Sequence, residues 1–418
     1  MMESITLKPR TNLNATVTIP GSKSCTARAL VMAGLTVGES TLLECADCDD
    51  STFMVDGLRG FGVSVARSGN TIRAGCGPLL PPSAPLFLGN SGTAVRFLAA
   101  ACATLDGVAA LDGTQRMRER PIRDLIEAMG AWGVEVLSET GCPPITIIAH
   151  NDFGGATCVK GSASSQYLSG LLMVAPCAKR DVTIHIEGEL VSKPYIDLTI
   201  AMMKERGVIA RNLDYRRFEV PAGQRYLPGE YAIEADASGA SYFFAAAAVA
   251  GGSVRVDNLS PASHQGDAHF PEVLARMGCT IREGGHWIEV SGTGRLQGID
   301  VDLNAMPDMA QTLAVTALFA DGPTRIRNVH NLRIKETDRI AATAAELRKL
   351  GATVHEHEDG LEIIPGTVRA AAIDTYDDHR MAMSFALAGL RIPGVVINDP
   401  GCVSKTFPDF FERFDALG

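Results

Sequence analysis

The chain has 418 residues, which is long for a single hydrophobic core and favours two or three domains. Hydrophobic residues make up 46% and charged residues 21%, which excludes a disordered chain and is typical of a soluble globular protein. The formal net charge of −10 disfavours non-specific binding to nucleic acid. A cluster of cations in this acidic chain would therefore indicate a small anionic ligand.

Membrane spans, a leader and a zinc site are all disfavoured by the sequence. No stretch reaches the roughly 18 apolar residues that a membrane helix needs, and residues 1–4 show no basic region before an apolar run. Cys45 and Cys48 form the only CxxC pair, and no second pair stands at a spacing suited to zinc. We therefore expect reduced thiols in a cytoplasmic protein.

A pattern of about 70 residues, a sixth of the chain, repeats along the sequence. In each repeat a helical segment ends at a glycine and an alternating strand follows, because glycine readily adopts the left-handed conformation that terminates a helix. The predicted junction glycines are Gly62, Gly133, Gly207, Gly278 and Gly351, with a sixth expected at Gly418.

Two further patterns keep the same period. Short alternating strands are predicted to start near Gly38, Gly107, Asp181, Gly252, Gly322 and Gly394. Apolar, Ala-rich helices with polar N-termini are predicted to start near Ser24, Thr93, Ser165, Ser238, Met309 and Arg380. The chain is thus predicted to contain six units of one α/β plan, each with two helices and several strands.

Residues 5–19 have the pattern of two strands that precede the first repeat, and we expect them to complete the last unit. The first three units would then form one domain, residues 21–234. The other three would form a second domain, residues 1–20 plus 235–418. Two crossings, near Pro20 and near Glu234, would make a hinge, and a cleft between domains is a common ligand site.

Cations and small residues recur at the predicted helix starts. Lys23, Ser24 and Arg28 open the first unit, and Ser and Gly there leave backbone N–H groups free to meet an anion. Gly92 opens the second unit, and its missing side chain lets a ligand approach the backbone. Arg120 follows in a loop rich in arginine, where we expect an anion contact.

The second half of the chain adds acids to the cations. Asp308 stands at the start of an apolar helix, and Glu336 lies between Lys335 and Arg339, which we expect to share one helix face. Asp308 and Glu336 are the candidate acid–base pair. We expect folding to gather the cations at one cleft, where they suit ligands bearing phosphate or carboxylate: Lys23, Arg28, Arg120, Lys335, Arg339, Arg380 and Lys405.

Other chemistries fit this sequence less well. It lacks the phosphate-binding motif G-x-x-x-x-G-K-[ST], the H-E-x-x-H zinc motif and the G-x-S-x-G nucleophile motif. His264 and His269 lie near Asp267, and we interpret the two histidines as ordinary polar residues of a loop.

The chain resembles the 5-enolpyruvylshikimate-3-phosphate synthase family over essentially its whole length. The matching stretches are Pro20–Arg28, Leu88–Arg96, Arg116–Ile122, Gly161–Gln166, Ser192–Asp197, Glu234–Ala248, Pro307–Asp308, Asn331–Arg339, Asp378–Met383 and Lys405–Pro408. The resemblance implies two similar domains of three α/β units each, an inside-out α/β barrel with the active site in the inter-domain cleft.

The resemblance also implies a reaction. The enolpyruvyl group of phosphoenolpyruvate would move to the 5-hydroxyl of shikimate 3-phosphate through a tetrahedral intermediate, with release of phosphate. This is a step of the shikimate pathway to chorismate and the aromatic amino acids. The family uses no metal and no organic cofactor. We also expect a cytoplasmic monomer with two small-molecule substrates and no nucleic-acid or membrane partner.

Roles carry over by matching position. The residues expected to hold shikimate 3-phosphate are Ser24, Arg28, Ser164, Ser165, Ser192, Tyr195, Asp308, Asn331 and Lys335. Lys23 and Gln166 would lie between both substrates. The residues expected to hold phosphoenolpyruvate are Gly92, Arg120, Arg339, Arg380 and Lys405. Asp308 is the expected base for the 5-hydroxyl and Glu336 the expected proton donor to C3, with Lys23 as a third catalytic residue.

The sequence departs from common family patterns at two places. Phe97 stands where many members have proline, and Cys25-Thr26-Ala27 replaces a commoner Val-Ser-Asn. We expect Phe97 to change the packing behind Gly92 and Thr93 without changing the reaction.

Two alternatives remain open from the sequence. One is the sister enzyme that transfers enolpyruvyl to a UDP-amino sugar, although its loop cysteine has no counterpart at 116–120. The other is a non-catalytic repeat protein that binds polyanions, which retention of both Asp308 and Glu336 disfavours.

Overall fold

Glycines end helices at the predicted period. The computed structural model describes residues 3–162 and 164–417. All five junction glycines in this part of the chain adopt positive φ, between 80° and 106°. Residues with a Cβ avoid this conformation, so glycine is favoured at each junction. The sixth predicted junction, Gly418, lies outside the described residues.

The six predicted Ala-rich helices all begin within one residue of the expected position, which confirms that pattern. The α-helices of the described residues are α1 (Lys23–Gly34), α2 (Asp49–Gly60), α3 (Gly92–Ala101), α4 (Arg123–Gly130), α5 (Ser165–Val174), α6 (Lys193–Glu205), α7 (Ala237–Ala250), α8 (Phe270–Arg276), α9 (Ala310–Thr316), α10 (Arg339–Lys349), α11 (His379–Gly389) and α12 (Phe410–Asp415). Short 3₁₀-helices occupy Cys102–Thr104, Met117–Glu119, Ala175–Cys177, Gly266–His269, Pro307–Met309, Ala317–Phe319, His330–Ile334 and Pro400–Lys405.

The strands are short and alternate with these helices. Within residues 3–162 and 164–417 they are β1 (Ser4–Thr6), β2 (Leu13–Val17), β3 (Gly38–Leu43), β4 (Ser64–Ser68), β5 (Thr71–Cys76), β6 (Leu86–Phe87), β7 (Asp106–Asp112), β8 (Glu135–Leu137), β9 (Ile145–His150), β10 (Gly154–Lys160), β11 (Arg180–Glu187), β12 (Arg211–Leu213), β13 (Arg217–Val220), β14 (Glu230–Ala232), β15 (Gly252–Val256), β16 (Thr280–Glu283), β17 (Ile288–Gly292), β18 (Leu296–Gln297), β19 (Asp300–Asp302), β20 (Ala320–Asp321), β21 (Thr324–Arg327), β22 (Thr353–His357), β23 (Gly360–Ile364), β24 (Ala372–Ile373) and β25 (Val396–Asn398).

One strand order recurs in the repeats. In the second repeat the order is β6-β7-β9-β8: β6 and β7 are parallel, and β7-β9 and β9-β8 are antiparallel. The parallel pair requires a crossover, which α3 provides. The orders β10-β11-β13-β12 and β19-β21-β23-β22 follow the same plan. The predicted α/β repeat is therefore a β-α-β-α-β-β unit.

The N-terminal strands divide between two repeats, which corrects one prediction. We expected both strands to complete the last unit, but only β1 does so, by antiparallel pairing with β25. β2 pairs in parallel with β15 and supplies the first strand of the fourth repeat. Likewise β14 pairs in parallel with β3 in the first repeat. Each added strand covers a sheet edge that would otherwise expose unpaired backbone groups.

The chain divides into two compact units. The central unit is Lys23–Ile233, and the terminal unit contains the residues up to Ser22 and those from Glu234 onward. Within the terminal unit, the Ser22 N–H donates to the Glu234 carbonyl oxygen at 2.7 Å, and the Asp236 N–H donates to that of Pro20 at 2.9 Å. The two segments that lead into the central unit are therefore hydrogen-bonded to each other.

Three inner helices form the centre of each unit. α7, α9 and α11 pack together in the terminal unit, and every residue of these helices is buried. α1, α3 and α5 pack together in the central unit. A helix that is apolar on all sides has to be enclosed, and the surrounding strands alternate buried and more exposed residues. The two units of three α/β repeats confirm the predicted fold class.

In the part of the chain that the structure describes, no helix has both the length and the apolar character needed to cross a bilayer.

Candidate active site

A lysine at the start of α1 is paired with a buried acid. The Nζ atom of Lys23 lies 3.2 Å from Oδ2 of Asp50. The two side chains retain 14% and 3% of their exposure, so water screens the pair only weakly. Asp50 lies in the first turn of α2, where the helix dipole favours an acid. The acid thereby fixes the lysine head group at the helix start.

Arg28 is a buried cation surrounded by neutral groups. Its Nε donates to Thr199 Oγ1 at 2.8 Å and its Nη1 to the Ser24 carbonyl oxygen at 2.9 Å. The guanidinium stands 5.3 Å from the ring centre of Phe97 and 5.9 Å from that of Tyr195. Burial disfavours the charge and lowers the pKa of Arg28 to about 10. A cation held in this way is suited to binding an anion.

The absence of a side chain at Gly92 leaves room for Arg120. Arg120 is buried, and its Nη1 donates to the carbonyl oxygen and the Oδ1 atom of Asn90 at 3.0 and 3.1 Å. A Cβ at Gly92 would lie only 2.5 Å from Arg120 Nη2. Gly92 also begins α3, whose first N–H groups have no partner within the helix. A small anion can therefore meet a fixed guanidinium and a helix start together.

Gln166 joins the second and third repeats. Its Oε1 accepts from Arg96 Nη1 at 2.6 Å, and its Nε2 donates to Thr93 Oγ1 at 3.1 Å. The guanidinium of Arg96 also stands over the Tyr167 ring at 5.3 Å. Ser164 caps α5 by accepting from the Gln166 N–H at 3.3 Å. These contacts fix the orientation of the Gln166 amide.

The other predicted residues of the central unit also lie at helix starts. Ser24 is on the first turn of α1, and Ser165 begins α5. Ser192 is the N-cap of α6 and adopts a left-handed conformation with φ of 56°. Non-glycine residues rarely adopt positive φ. Tyr195 follows on the first turn of α6, so this strained start presents a serine and a tyrosine close together in the chain.

In the terminal unit one arginine holds three carboxylates. Arg339 Nε and Nη2 donate to the two oxygens of Asp378 at 2.7 and 3.2 Å. Its Nη2 also donates to Glu336 Oε2 at 2.9 Å, and its Nη1 donates to Asp308 Oδ1 at 3.0 Å. Burial disfavours the charged guanidinium, but the three carboxylates outweigh burial and raise the pKa of Arg339. Both candidate acid–base residues thus contact one cation.

A second arginine and a lysine complete this cluster. Arg380 Nη2 donates to Asp308 Oδ2 at 2.9 Å, and its Nη1 donates to Tyr242 Oη at 3.2 Å. The Nζ atom of Lys405 lies 4.0 Å from Glu336 Oε1. Each of the two acids therefore meets two cations, which restricts the movement of both carboxylates.

The loop before α10 corrects the predicted position of Lys335. We expected Lys335 and Arg339 to share one helix face. Instead Lys335 has extended backbone after the 3₁₀-helix His330–Ile334, and α10 begins only after the N-cap Asp338. The Asp338 carboxylate accepts from the first N–H groups of α10 and so fixes where the helix starts. Asn331 is buried in the preceding 3₁₀-helix.

A further buried acid is electrostatically coupled to this cluster. Asp267 is 3% exposed and accepts a short hydrogen bond from Ser238 Oγ. Burial raises the pKa of Asp267 to about 6; the charge of Asp308 adds to the rise and the charge of Arg380 opposes it. The sequence did not identify Asp267 as a candidate site residue, although its side chain is enclosed.

Among residues 3–162 and 164–417, no group of three or more His, Cys, Asp and Glu side chains is arranged to hold a metal ion.

Comparison with known proteins identifies the family. Residues 7–414 match the family model for EPSP synthase (3-phosphoshikimate 1-carboxyvinyltransferase). A protein named 3-phosphoshikimate 1-carboxyvinyltransferase from Shewanella amazonensis is 49% identical, with 100% of this chain and 99% of the relative covered. One of the same name from a Marinomonas species is 48% identical, and both chains are covered completely. This chain belongs to the EPSP synthase family.

A solved EPSP synthase from Acinetobacter baumannii has the same fold. The TM-score is 0.81 at 24% identity, and the match covers 99% of this chain and 98% of that one. The chain is therefore an enzyme of the EPSP synthase family, whose reaction is the enolpyruvyl transfer step of the shikimate pathway.

Four polar residues that contact or lie near candidate residues were not identified from the sequence: Asp50, Arg96, Asp267 and Asp378. Some of them carry a signal in hindsight. Asp50 is an acid in the first turn of α2, and Asp378 directly precedes a helix that bears a cation. Neither signal identifies the cation that the acid contacts, because Lys23 is distant from Asp50 in the sequence and Arg339 is distant from Asp378.

Proposed function

We propose that the residues of the two units bind shikimate 3-phosphate and phosphoenolpyruvate and transfer the enolpyruvyl group to the 5-hydroxyl of the former, with release of phosphate. The observation that carries this proposal is that Asp308 and Glu336 contact the same guanidinium, that of Arg339. Two carboxylates held this closely can exchange protons with one bound substrate pair. The neighbouring cations can stabilise the negative charge of the leaving phosphate.

Shikimate 3-phosphate is assigned mainly to the central unit. Hydroxyl and amide groups at helix starts suit its ring hydroxyls, because they both donate and accept hydrogen bonds. Arg28, whose hydrogen-bond partners are neutral, suits a charged group of this substrate. The assigned residues are Ser24, Arg28, Ser164, Ser165, Ser192 and Tyr195, with Asp308, Asn331 and Lys335 from the terminal unit.

Phosphoenolpyruvate is assigned to the fixed arginines and to Lys405. It carries a carboxylate and a phosphate, and guanidinium groups can bind the oxygens of both in pairs. The assigned residues are Gly92, Arg120, Arg339, Arg380 and Lys405. Lys23 and Gln166 are assigned to both substrates.

The proposed reaction has two stages. Asp308 takes the proton of the 5-hydroxyl while the oxygen of that hydroxyl bonds to C2 of phosphoenolpyruvate. Glu336 gives a proton to C3. The product of this addition is a tetrahedral intermediate. The bond from C2 to the phosphate oxygen then breaks, C3 gives a proton back to Glu336 as the double bond re-forms, and the departing phosphate takes the proton held by Asp308. Lys23 and the arginines balance the charge of the departing phosphate.

This reaction requires residues of both units to reach the same substrates. We therefore propose that the chain segments near Pro20 and Glu234 act as a hinge between the two domains, and that shikimate 3-phosphate closes the cleft. Small-angle scattering with saturating shikimate 3-phosphate should report a smaller radius of gyration than without it. An unchanged scattering curve would contradict closure.

Acceptor choice tests the proposal directly. We expect phosphate release from phosphoenolpyruvate with shikimate 3-phosphate as acceptor, and none with UDP-N-acetylglucosamine. Absence of release with shikimate 3-phosphate would overturn the proposal, and release with the UDP-sugar would favour the sister activity.

The two acids can be separated by isotope exchange. In D₂O with both substrates, reversal of the addition should place deuterium on C3 of phosphoenolpyruvate. We expect Glu336→Gln to abolish this exchange, because no proton donor to C3 remains. Exchange at the normal rate in Glu336→Gln would reassign the donor.

We also propose that the enzyme works as a monomer in the cytoplasm. All assigned residues lie in one chain, and Cys45 and Cys48 are free and buried, as in proteins of reducing compartments. Analytical ultracentrifugation at assay concentration tests the monomer, and a concentration-dependent dimer would contradict it.

A further inference from the structure

Two consecutive residues before α11 adopt the left-handed conformation. The φ angle is 55° at Tyr376 and 53° at Asp377. Side-chain-bearing residues avoid this region because the Cβ crowds the next carbonyl oxygen. Such residues persist in succession only where surrounding contacts enforce them. The turn leads directly into Asp378, the N-cap of α11, so whatever holds the turn also sets where α11 begins.

A buried carboxylate on α10 supplies the enforcing contacts. Glu346 is inaccessible to solvent. Its Oε1 accepts from Tyr376 Oη at 2.7 Å, and its Oε2 accepts from the Asp374 N–H at 3.1 Å. Lys349 Nζ lies 2.8 Å from Glu346 Oε2 and 2.7 Å from Asp374 Oδ2. One carboxylate therefore fastens the chain at two residues, at and just before the left-handed turn.

The turn positions two groups of the candidate active site. Asp378 Oδ1 accepts from the Arg380 N–H at 2.9 Å, which caps α11. The same carboxylate holds Arg339 at 2.7 and 3.2 Å. Arg380 in turn donates to Asp308 at 2.9 Å. A shift of the turn would therefore displace the two guanidinium groups assigned to phosphoenolpyruvate together.

We propose that Glu346 is a positioning residue for phosphoenolpyruvate: through Tyr376 and Asp374 it holds the left-handed turn that places Asp378 and Arg380. This inference rests on the proposed assignment of phosphoenolpyruvate to Arg339 and Arg380. Glu346 acts through the backbone of the turn and takes no part in proton transfer.

Steady-state kinetics of two variants test this role. Tyr376→Phe removes the hydroxyl donor, and Glu346→Gln leaves one acceptor oxygen for the two donors, Tyr376 Oη and the Asp374 N–H. We expect the KM for phosphoenolpyruvate to rise roughly tenfold in Tyr376→Phe and further in Glu346→Gln, because displacing a positioned group by about 1 Å is costly. The KM for shikimate 3-phosphate should rise less, because most of the residues assigned to that substrate lie in the central unit. If Glu346→Gln does not fold, Tyr376→Phe, at a half-exposed position, still tests the proposal.

Two controls sharpen the result. Tyr231→Phe removes an exposed tyrosine hydroxyl that donates to the Leu227 carbonyl oxygen in the central unit, and it should leave both KM values unchanged. The double variant Tyr376→Phe/Glu346→Gln should show less than the sum of the two single effects, because both changes act on the hydrogen bond from Tyr376 to Glu346.

Three outcomes would overturn the inference. The first is an unchanged KM for phosphoenolpyruvate in both variants. The second is a parallel rise in both KM values with a fall in melting temperature, since that would indicate only loss of structure. The third is an unchanged KM for phosphoenolpyruvate in Arg380→Lys. In that case the substrate assignment fails, and this inference fails with it. If Arg380→Lys alone raises that KM, the assignment stands and only the role of Glu346 fails.

Discussion

The central and terminal units bury arginine in opposite surroundings. Arg28 and Arg339 are both only 2% exposed. Hydroxyl, carbonyl and aromatic groups surround Arg28, and burial lowers its pKa to about 10. Three carboxylates surround Arg339, and their charges raise its pKa in spite of burial. Equal burial of one residue type therefore leaves one guanidinium among neutral partners and the other among three carboxylates.

The difference indicates that the two buried arginines have different roles. A cation among neutral partners has its full charge available to an incoming phosphate or carboxylate. A cation held by acids also fixes those acids in place, which suits proton transfer. Each prediction below tests one side of this contrast.

The largest effect on turnover should come from removing a charged candidate residue from either the central or the terminal unit. We expect Asp308→Ala and Lys23→Ala each to lower kcat roughly 10³-fold or more, because proton transfer or charge stabilisation is lost. Circular dichroism should show an intact fold. Asp415→Ala and Lys8→Ala change an exposed surface pair and serve as matched controls. Near-normal phosphate release by Asp308→Ala would contradict the assignment of Asp308 as the base.

The buried acid Asp267 should give the terminal unit a pH-dependent stability. Its pKa in the fold is about 6 against an ordinary 3.8, so between these values the folded protein binds more protons than the unfolded chain. Wild-type stability relative to Asp267→Asn should therefore fall as pH rises from 4 to 7, by up to about 3 kcal/mol. Urea unfolding of both proteins across this range measures the difference. A difference independent of pH would contradict the prediction.

The close approach of Gly92 to Arg120 should make the central unit sensitive to one added methyl group. In Gly92→Ala the new Cβ would lie 2.5 Å from Arg120 Nη2, so the guanidinium has to move. We expect the KM for phosphoenolpyruvate to rise about tenfold. Gly130→Ala is the control, since its Cβ would meet nothing within 4 Å. An equal effect of the two substitutions would indicate a change in helix stability alone.

The smallest effect should come from the aromatic support of Arg28. Phe97→Leu keeps an apolar side chain but removes the ring below the guanidinium, an interaction worth about 0.5–1 kcal/mol or more when desolvated. We expect shikimate 3-phosphate to bind about two- to fivefold more weakly by calorimetry. Phe61→Leu truncates another fully buried phenylalanine of the same unit and controls for cavity formation. Equal affinity of Phe97→Leu and the wild type would show that the Phe97 ring does not support Arg28.

Local signals in the sequence determined the repeat, the helix starts and the fold class. Glycine at the junctions and Ser, Asp or Gly at the helix starts act within a few residues of the backbone they shape. They therefore predicted the six inner helices and placed most candidate residues at helix starts. They misplaced Lys335, because the N-cap at Asp338 competes with a helix through the whole segment.

Only the tertiary structure decided which groups meet. β2 and β14 each complete a sheet whose other strands are distant from them in the sequence. Arg28 bonds to a threonine 171 positions away, and Asp308 bonds to an arginine 72 positions away. Such partners depend on how separate elements pack, which no local conformational preference records. The sequence by itself thus determined where the cations and acids stand along the helices, and the packing decided that one buried arginine faces neutral groups while the other holds three carboxylates.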